Sequence, residues 1–477
     1  MISAQHVPFP TRNARGVVTV IVFAALSACS LAPTYERPEL STASMYPTTA
    51  AAGASAGLQA PLPLWPDFFG DADLKHLIGR ALDNNRDLRI ALYRVGEARA
   101  LYGIQRAEQF PATSAQALGS RARVPADLSL TGQPVISSEY QVTFGVSAWE
   151  LDLWGRVRNL KEAALQSYFA SEEARRAVEL TLIAQVANSY LLGRELDERI
   201  GLAERTVKTR EESLRIARRR YEVGSAGRLD AVQAETLLNQ ARSELTILLR
   251  LRDLNSNALT LLVGEPIAFQ ARTLTAVEPD FLPAVSPGLP SDLLMNRPDV
   301  LAAERRLKAA SANIGAARAA FFPRISLTAG VGTASSELNN LFGAGSGVWS
   351  LTPSLVQPLF DGGRNRATLE LSEARKESAV ADYERTVQAA FRDVANALVE
   401  RQWLGEQVRA QQATLAAQNE RARLANLRYR NGAAPYLEVL DAERDRFNVE
   451  QALVQTRRAL LASGIDLYAA LGGASLR

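Results

Sequence analysis

The chain has 477 residues, 47% of them hydrophobic and 22% charged, and its 54 basic and 51 acidic residues leave a formal charge of +3. That balance excludes a disordered chain, a helical membrane protein and, with no Lys/Arg stripe interleaved with aromatics, a nucleic-acid partner. The length allows two to four ordinary domains or one large one.

Arg12 and Arg15 precede the apolar run Val17 to Leu26. Ten residues are too few to span a bilayer, which needs about 20. A basic flank, a short apolar stretch and small residues make residues 1–28 a signal peptide. It closes on "LSAC", ending at Cys29, the single cysteine of the chain. Read alone, Cys29 is a free thiol near a frayed terminus. The motif is also similar to the bacterial lipobox, which implies diacylglycerol and an N-acyl chain on Cys29. Acylation of that extent anchors stably in a membrane. Ser30 in place of Asp implies, by resemblance to lipoprotein sorting rules, the outer membrane. An N-terminal extended segment follows over 29–70.

The remainder is written twice. Asp87–Pro111 parallels Asp299–Pro323, "WGRVR" at Trp154 parallels "GGRNR" at Gly362, and Tyr221 and Gly224 recur as Tyr429 and Gly432, 208 residues on. The segment order is the same in both copies, which indicates tandem duplication. The first repeat spans 71–264 and the second 291–477, separated by a linker at 265–290 that holds five prolines. Each repeat reads as helix, strand pair, very long helix and return helix. The long helices are expected over 155–222 and 363–430, and the returns over 228–263 and 436–471. Leu196, Ile200, Ala203, Val207, Arg210, Leu214, Ala217 and Tyr221 follow alternating steps of four and three, a narrow coiled-coil seam broken once by Arg210. About 66 helical residues make a rod of roughly 100 Å.

The strands carry a different period. Tyr140, Val142, Phe144, Val146 and Ala148 alternate with polar residues or glycine, as do Ile325, Leu327, Ala329 and Val331. Strands are expected over about 112–124, 139–151, 323–336 and 347–360. Each fits an edge strand of a soluble sheet. Their length and apolar face in an exported chain also fit transmembrane β-strands. Four strands cannot close a barrel, and open edges are not tolerated in lipid. Three chains give twelve strands and a lumen. The loops 125–138 and 337–346 are then expected outside the cell.

An enzyme would need a catalytic set, and none is visible. His76 is the one histidine beyond the signal peptide, the one Cys is the candidate lipid site, and "GVGTAS" near Gly330 lacks a phosphate-loop lysine. The chain is read as a non-enzyme, without metal or cofactor beyond covalent lipid.

The duplicated halves, the lipobox, "WELDLWGRVR", "RPD" (Arg297–Asp299) and "YRNG…YLEVLDAE" resemble the outer-membrane factor family of bacterial efflux systems. The OprM-like lipoproteins, relatives of TolC, are the nearest branch. The resemblance implies an α+β membrane protein: a homotrimer with a twelve-stranded outer-membrane barrel, four strands per chain, continuing into a long periplasmic α-helical barrel. It implies a channel that passively conducts drugs or other small toxic compounds from an inner-membrane RND-type pump through a periplasmic adaptor. The tip residues Tyr221, Gly224, Asp230, Tyr429, Gly432 and Glu438 are then adaptor contacts, although helix-hairpin closure alone satisfies their capping chemistry. Leu437 and Asp441 match the family's periplasmic gate, although Asp441 also fits a solvated helix acid. A lipid-anchored periplasmic coiled-coil tether without a pore is the alternative that the alternating strands disfavour.

Overall fold

The computed structural model describes residues 30–39, 62–130, 132–267, 282–283 and 296–474. The signal peptide, Cys29 and most of the linker lie outside the described residues. The elements in order are α1 (Trp65–Phe68), α2 (Ala72–Asn84), α3 (Arg86–Ala107), β1 (Thr113–Val124), β2 (Val135–Glu150), α4 (Arg156–Glu222) and α5 (Arg228–Val263). After the linker come α6 (Pro298–Ala319), β3 (Arg324–Ser335), β4 (Gly347–Val356), α7 (Arg364–Arg430) and α8 (Tyr436–Ala470). The duplication is visible in the lengths: α4 and α7 have 67 residues each, and α5 and α8 have 36 and 35. At 1.5 Å per residue, each long helix measures about 100 Å.

Two compact units divide the chain. The first comprises Met1–Glu39, Val95–Ser171 and Ala303–Tyr383, and holds the antiparallel sheet β1-β2-β3-β4. Every helix that joins this sheet does so at one end, and both hairpin loops lie at the other. β2 starts at Val135, earlier than its alternation suggests, because Val135 to Ser138 pair with Val124 to Arg121 and lengthen the hairpin. β4 stops at Val356, two residues before Pro358; Pro353 is accommodated inside it, as an edge strand allows.

The extended segment 30–37 is pinned in the same unit. Ser30 Oγ donates to Asn159 Oδ1 at 3.0 Å. Glu304 accepts from Tyr35 Oη at 3.0 Å and from Arg37 Nη2 at 3.1 Å, and pairs with Lys308 at 3.0 Å. Burial works against this carboxylate, but its bonds to Lys308, Tyr35 and Arg37 hold its pKa below the usual range. Gly315 lets the segment lie close, since a Cβ there would come within 2.7 Å of the Ala32 nitrogen.

The second unit comprises Leu40–Arg94, Glu172–Ala302 and Glu384–Arg477. Its main core joins Phe68, Phe69, Leu74 and Ile78 to Val186, Leu191, Leu259 and Tyr468, with Phe68 stacked on Tyr468 at 4.1 Å. Asp71 caps α2 and accepts from Tyr190 Oη at 2.9 Å and Arg194 at 2.7 Å. Along α4 the seam is buried: Leu196, Ile200 and Ala203 pack with Leu248, and Leu214 and Ala217 with Ala234 and Leu238. Small residues at these positions let the helices approach closely. Within this packing Glu195 pairs with Arg199 at 3.0 Å and Arg458 at 2.9 Å, and Arg199 Nε donates to Gln451 at 2.6 Å.

Candidate functional sites in the sheet and the helical tips

The register sorts the sheet's side chains onto two faces. Ala115 opposes Phe144, Phe144 opposes Val331, and Val331 opposes Trp349, so these share one face with Val142, Ala329, Leu351 and Leu355. The other face carries Gln116, Gln141, Thr143, Thr328, Ser350 and Thr352, with Leu118 as an apolar exception in its middle and valines (Val124, Val135, Val348 and Val356) toward its ends. The apolar face is solvent-exposed in the single chain: Trp349 is 80% and Phe144 55% accessible. Exposed apolar area of this kind, continuous across four strands, marks a surface that meets something other than water.

A β-bulge alters one expectation. Two residues, Ser147 and Ala148, oppose Thr328 alone, and Ala148 takes φ 49°. The inserted residue shifts the phase, so Trp149 opposite Leu327 occupies the apolar face where simple alternation puts Ala148. On the polar face Gly145 and Gly332 permit close backbone approach. A Cβ on Gly145 would strike the Ala329 carbonyl oxygen, and one on Gly332 the Val142 carbonyl oxygen. Glycines so placed let a sheet coil tightly toward that side. β1 and β4 each have a neighbour on one side only.

The sheet reading carries a direct prediction. Phe144→Arg is expected to impair membrane insertion by about 2–4 kcal/mol, the range for a cation near the bilayer midplane. Thr143→Arg, one residue away on the polar face, is expected to insert normally. Urea-dependent folding into lipid vesicles compares the two.

At the tips the two repeats close alike. Ser225 N–H bonds to the Arg220 carbonyl at 2.8 Å and Gly224 N–H to that of Tyr221 at 3.0 Å; Ala433 to Arg428 and Gly432 to Tyr429 repeat these bonds at the same lengths. Both glycines take φ 73°. This is a Schellman cap, which needs the left-handed region that glycine enters without strain. Tyr221 is half exposed, and Asp230 lies exposed in the first turn of α5. Glu438 accepts from Arg428 at 2.7 Å, Leu437 is 44% accessible, and Asp441 pairs with Arg444 on its own helix at 3.1 Å.

Cross-links between the two tips were not legible in the motifs. Arg220 donates to Tyr429 Oη at 2.7 Å, Ser213 Oγ lies 2.5 Å from Tyr436 Oη, and buried Arg210 donates to the Leu440 carbonyl at 3.4 Å. Arg210 had left a trace, as the one charged residue in an apolar seam. Burial lowers its guanidinium pKa from the usual value. His76 is exposed on α2. Among the described residues no helix is long and apolar enough to cross a membrane, and no three His, Cys, Asp or Glu are placed to hold a metal ion.

An apolar-faced meander of strands joined to water-exposed coiled-coil rods defines an outer-membrane channel protein. The family model described as outer membrane efflux protein matches residues 77–265 and 289–473, one stretch in each repeat, and the chain belongs to that family. It is accordingly an efflux channel component of the outer membrane. It is 45% identical to outer membrane protein OprJ of Pseudomonas aeruginosa over 97% of this chain and 96% of that one. It is equally 45% identical to toluene efflux pump outer membrane protein TtgC of Pseudomonas putida, over 94% and 93%. The crystal structure of the open state of the MtrE outer membrane channel of Neisseria gonorrhoeae matches with TM-score 0.83 and 39% identity, covering 93% of this chain and 98% of that one.

Proposed function

We propose that three copies pool their strands into one twelve-stranded barrel, lipid-anchored through Cys29, which passes drugs or other small toxic compounds received from an inner-membrane RND-type pump through a periplasmic adaptor. The observation that carries this is the open sheet: one apolar face, one polar face and two free edges. In hydrocarbon those edges must pair, and a second and third copy offer the complementary edge. Relatives bearing efflux names, toluene among their cargo, support the class of substrate.

The test is a Cys29→Ala chain. It is expected to stay in the outer-membrane fraction, to require detergent, and to give single-channel conductance in planar bilayers. A soluble, non-conducting product would leave only a lipid-held tether.

The tips are the adaptor-docking surface in this reading. Tyr221, Asp230 and Glu438 supply its side chains, and Gly224 and Gly432 its turn. Leu437 and Asp441, one helical turn apart, form the gate: three copies of Asp441 brought together repel one another or hold cations. Leu437→Ala with Asp441→Ala is expected to raise conductance and antibiotic leak severalfold. Unchanged conductance removes these two residues from the gate.

A further inference from the structure

The apolar face of the sheet carries charge at one place only. By register, Arg121 stands opposite Ser138 and Arg123 opposite Ile136, on the face shared by Ala115, Ala117, Val142 and Phe144. Every other residue that the pairing puts on this face is uncharged. Both arginines are exposed, and no acid shares the face to neutralise them.

Their height is informative. About ten strand steps separate Ser138 from Trp149, or roughly 33 Å along the strand at ~3.3 Å per step. With a strand tilt of about 40° that becomes a vertical rise of ~25 Å, the height of the apolar band of an outer-membrane barrel. Trp149 lies at the helical end of the band, near Trp154 stacked on Phe322 at 4.8 Å. Arg121 lies at the loop end, two steps beyond Tyr140, which opposes Gly119. Arg123 lies two residues further toward the loop. The pair therefore sits where acyl chains give way to headgroups, on the side away from the helices.

We infer that Arg121 and Arg123 form a binding site on the barrel's outer wall for the phosphate groups of a phosphorylated glycolipid in the outer leaflet. At that depth a lipid-facing cation costs little, so the pair is tolerated there and is free to meet the anionic headgroups beside it. Guanidinium matches phosphate by paired, charge-assisted hydrogen bonds, and two of them two residues apart on one strand face span about 7 Å. The commitment is to a lipid because the acyl chains of the same molecule would cover Val142 and Phe144 below, which an ion in solution would leave bare. The inference rests on the lipid-facing reading of this face.

The test is native mass spectrometry of the full-length channel in detergent, titrated with a bisphosphorylated diacyl-diglucosamine lipid, its dephosphorylated counterpart and millimolar inorganic phosphate. Wild type is expected to retain the phosphorylated lipid at least about tenfold better than the dephosphorylated one. Arg121→Gln with Arg123→Gln is expected to erase that preference, and Arg121→Lys with Arg123→Lys to keep part of it. Equal retention of the two lipids by wild type, or undiminished preference in the Gln pair, overturns the site. Displacement of the lipid by inorganic phosphate also overturns it, in favour of a solution-anion site. Conductance in planar bilayers is read in parallel. A Gln pair that inserts and conducts is folded; should it not insert, the Lys pair against wild type decides by the reduced preference alone. Failure of wild type itself to insert would count against the barrel reading, not against the arginines.

Discussion

Gly332→Val is expected to yield a chain that is synthesised and exported but forms no heat-resistant, conducting assembly. A Cβ at Gly332 collides with the Val142 carbonyl oxygen and approaches Thr143 Cα to 2.7 Å, both on the neighbouring strand. Ordinary overpacking costs about 1–3 kcal/mol because side chains can turn aside. Here the obstacle is backbone held in register by β2 and β3, so the ladder itself must open. Gly330→Ala is the matched control: its nearest neighbour is the Ser350 hydroxyl at 3.5 Å, an ordinary contact. Unheated gel mobility and conductance should separate the two variants, and a conducting Gly332→Val channel would refute the close approach.

The second large effect is expected at Glu195. Its side chain is 3% accessible and holds both Arg199 and Arg458. Arg458 comes from α8, 263 residues away, so this carboxylate joins the first repeat to the second. Glu195→Ala strips a buried carboxylate from Arg199, 12% accessible, and from Arg458, 32% accessible, and removal of one partner from a fully buried ionic cluster costs about 3–5 kcal/mol. Arg199 keeps Gln451 and, at 3.5 Å, the Glu244 carboxylate as partners, which holds the loss at or below the lower end of that range. Thermal unfolding followed by circular dichroism should show the loss. Glu212→Ala, whose partner Arg215 is likewise exposed on the same helix, should leave the transition unmoved.

How far the residues announced this structure depended on the range of the interaction. The strand alternation at Tyr140–Val146 and Ile325–Val331 was legible because period two is a local property. The phase beyond Val146 was not: the bulge turns on Ala148 at φ 49°, and alanine carries no sign of such a backbone. Gly224 and Gly432 were legible as helix ends because a Schellman cap favours a residue without Cβ. The seam of α4 was legible by spacing, and Arg210 stood out within it. What it reaches, the Leu440 carbonyl, lies 230 residues on and was not. The Glu195 cluster and the Arg220–Tyr429 link were invisible for the same reason: ordinary charged and phenolic residues on helix surfaces acquire meaning only when a distant helix is laid against them. The family fold was readable from motif order repeated in both halves.

Ser30 is fastened to Asn159 at the start of α4, and Tyr35 and Arg37 are fastened to Glu304. Cys29 is the very next residue toward the terminus. On the proposed lipidation, an acyl group on Cys29 would hang on a leash one residue long from that fastened Ser30, with little slack to drift about the bilayer. Fatty chains held so short would act as pegs around the perimeter, and each subunit would be kept from bobbing or tilting relative to the leaflet that holds them.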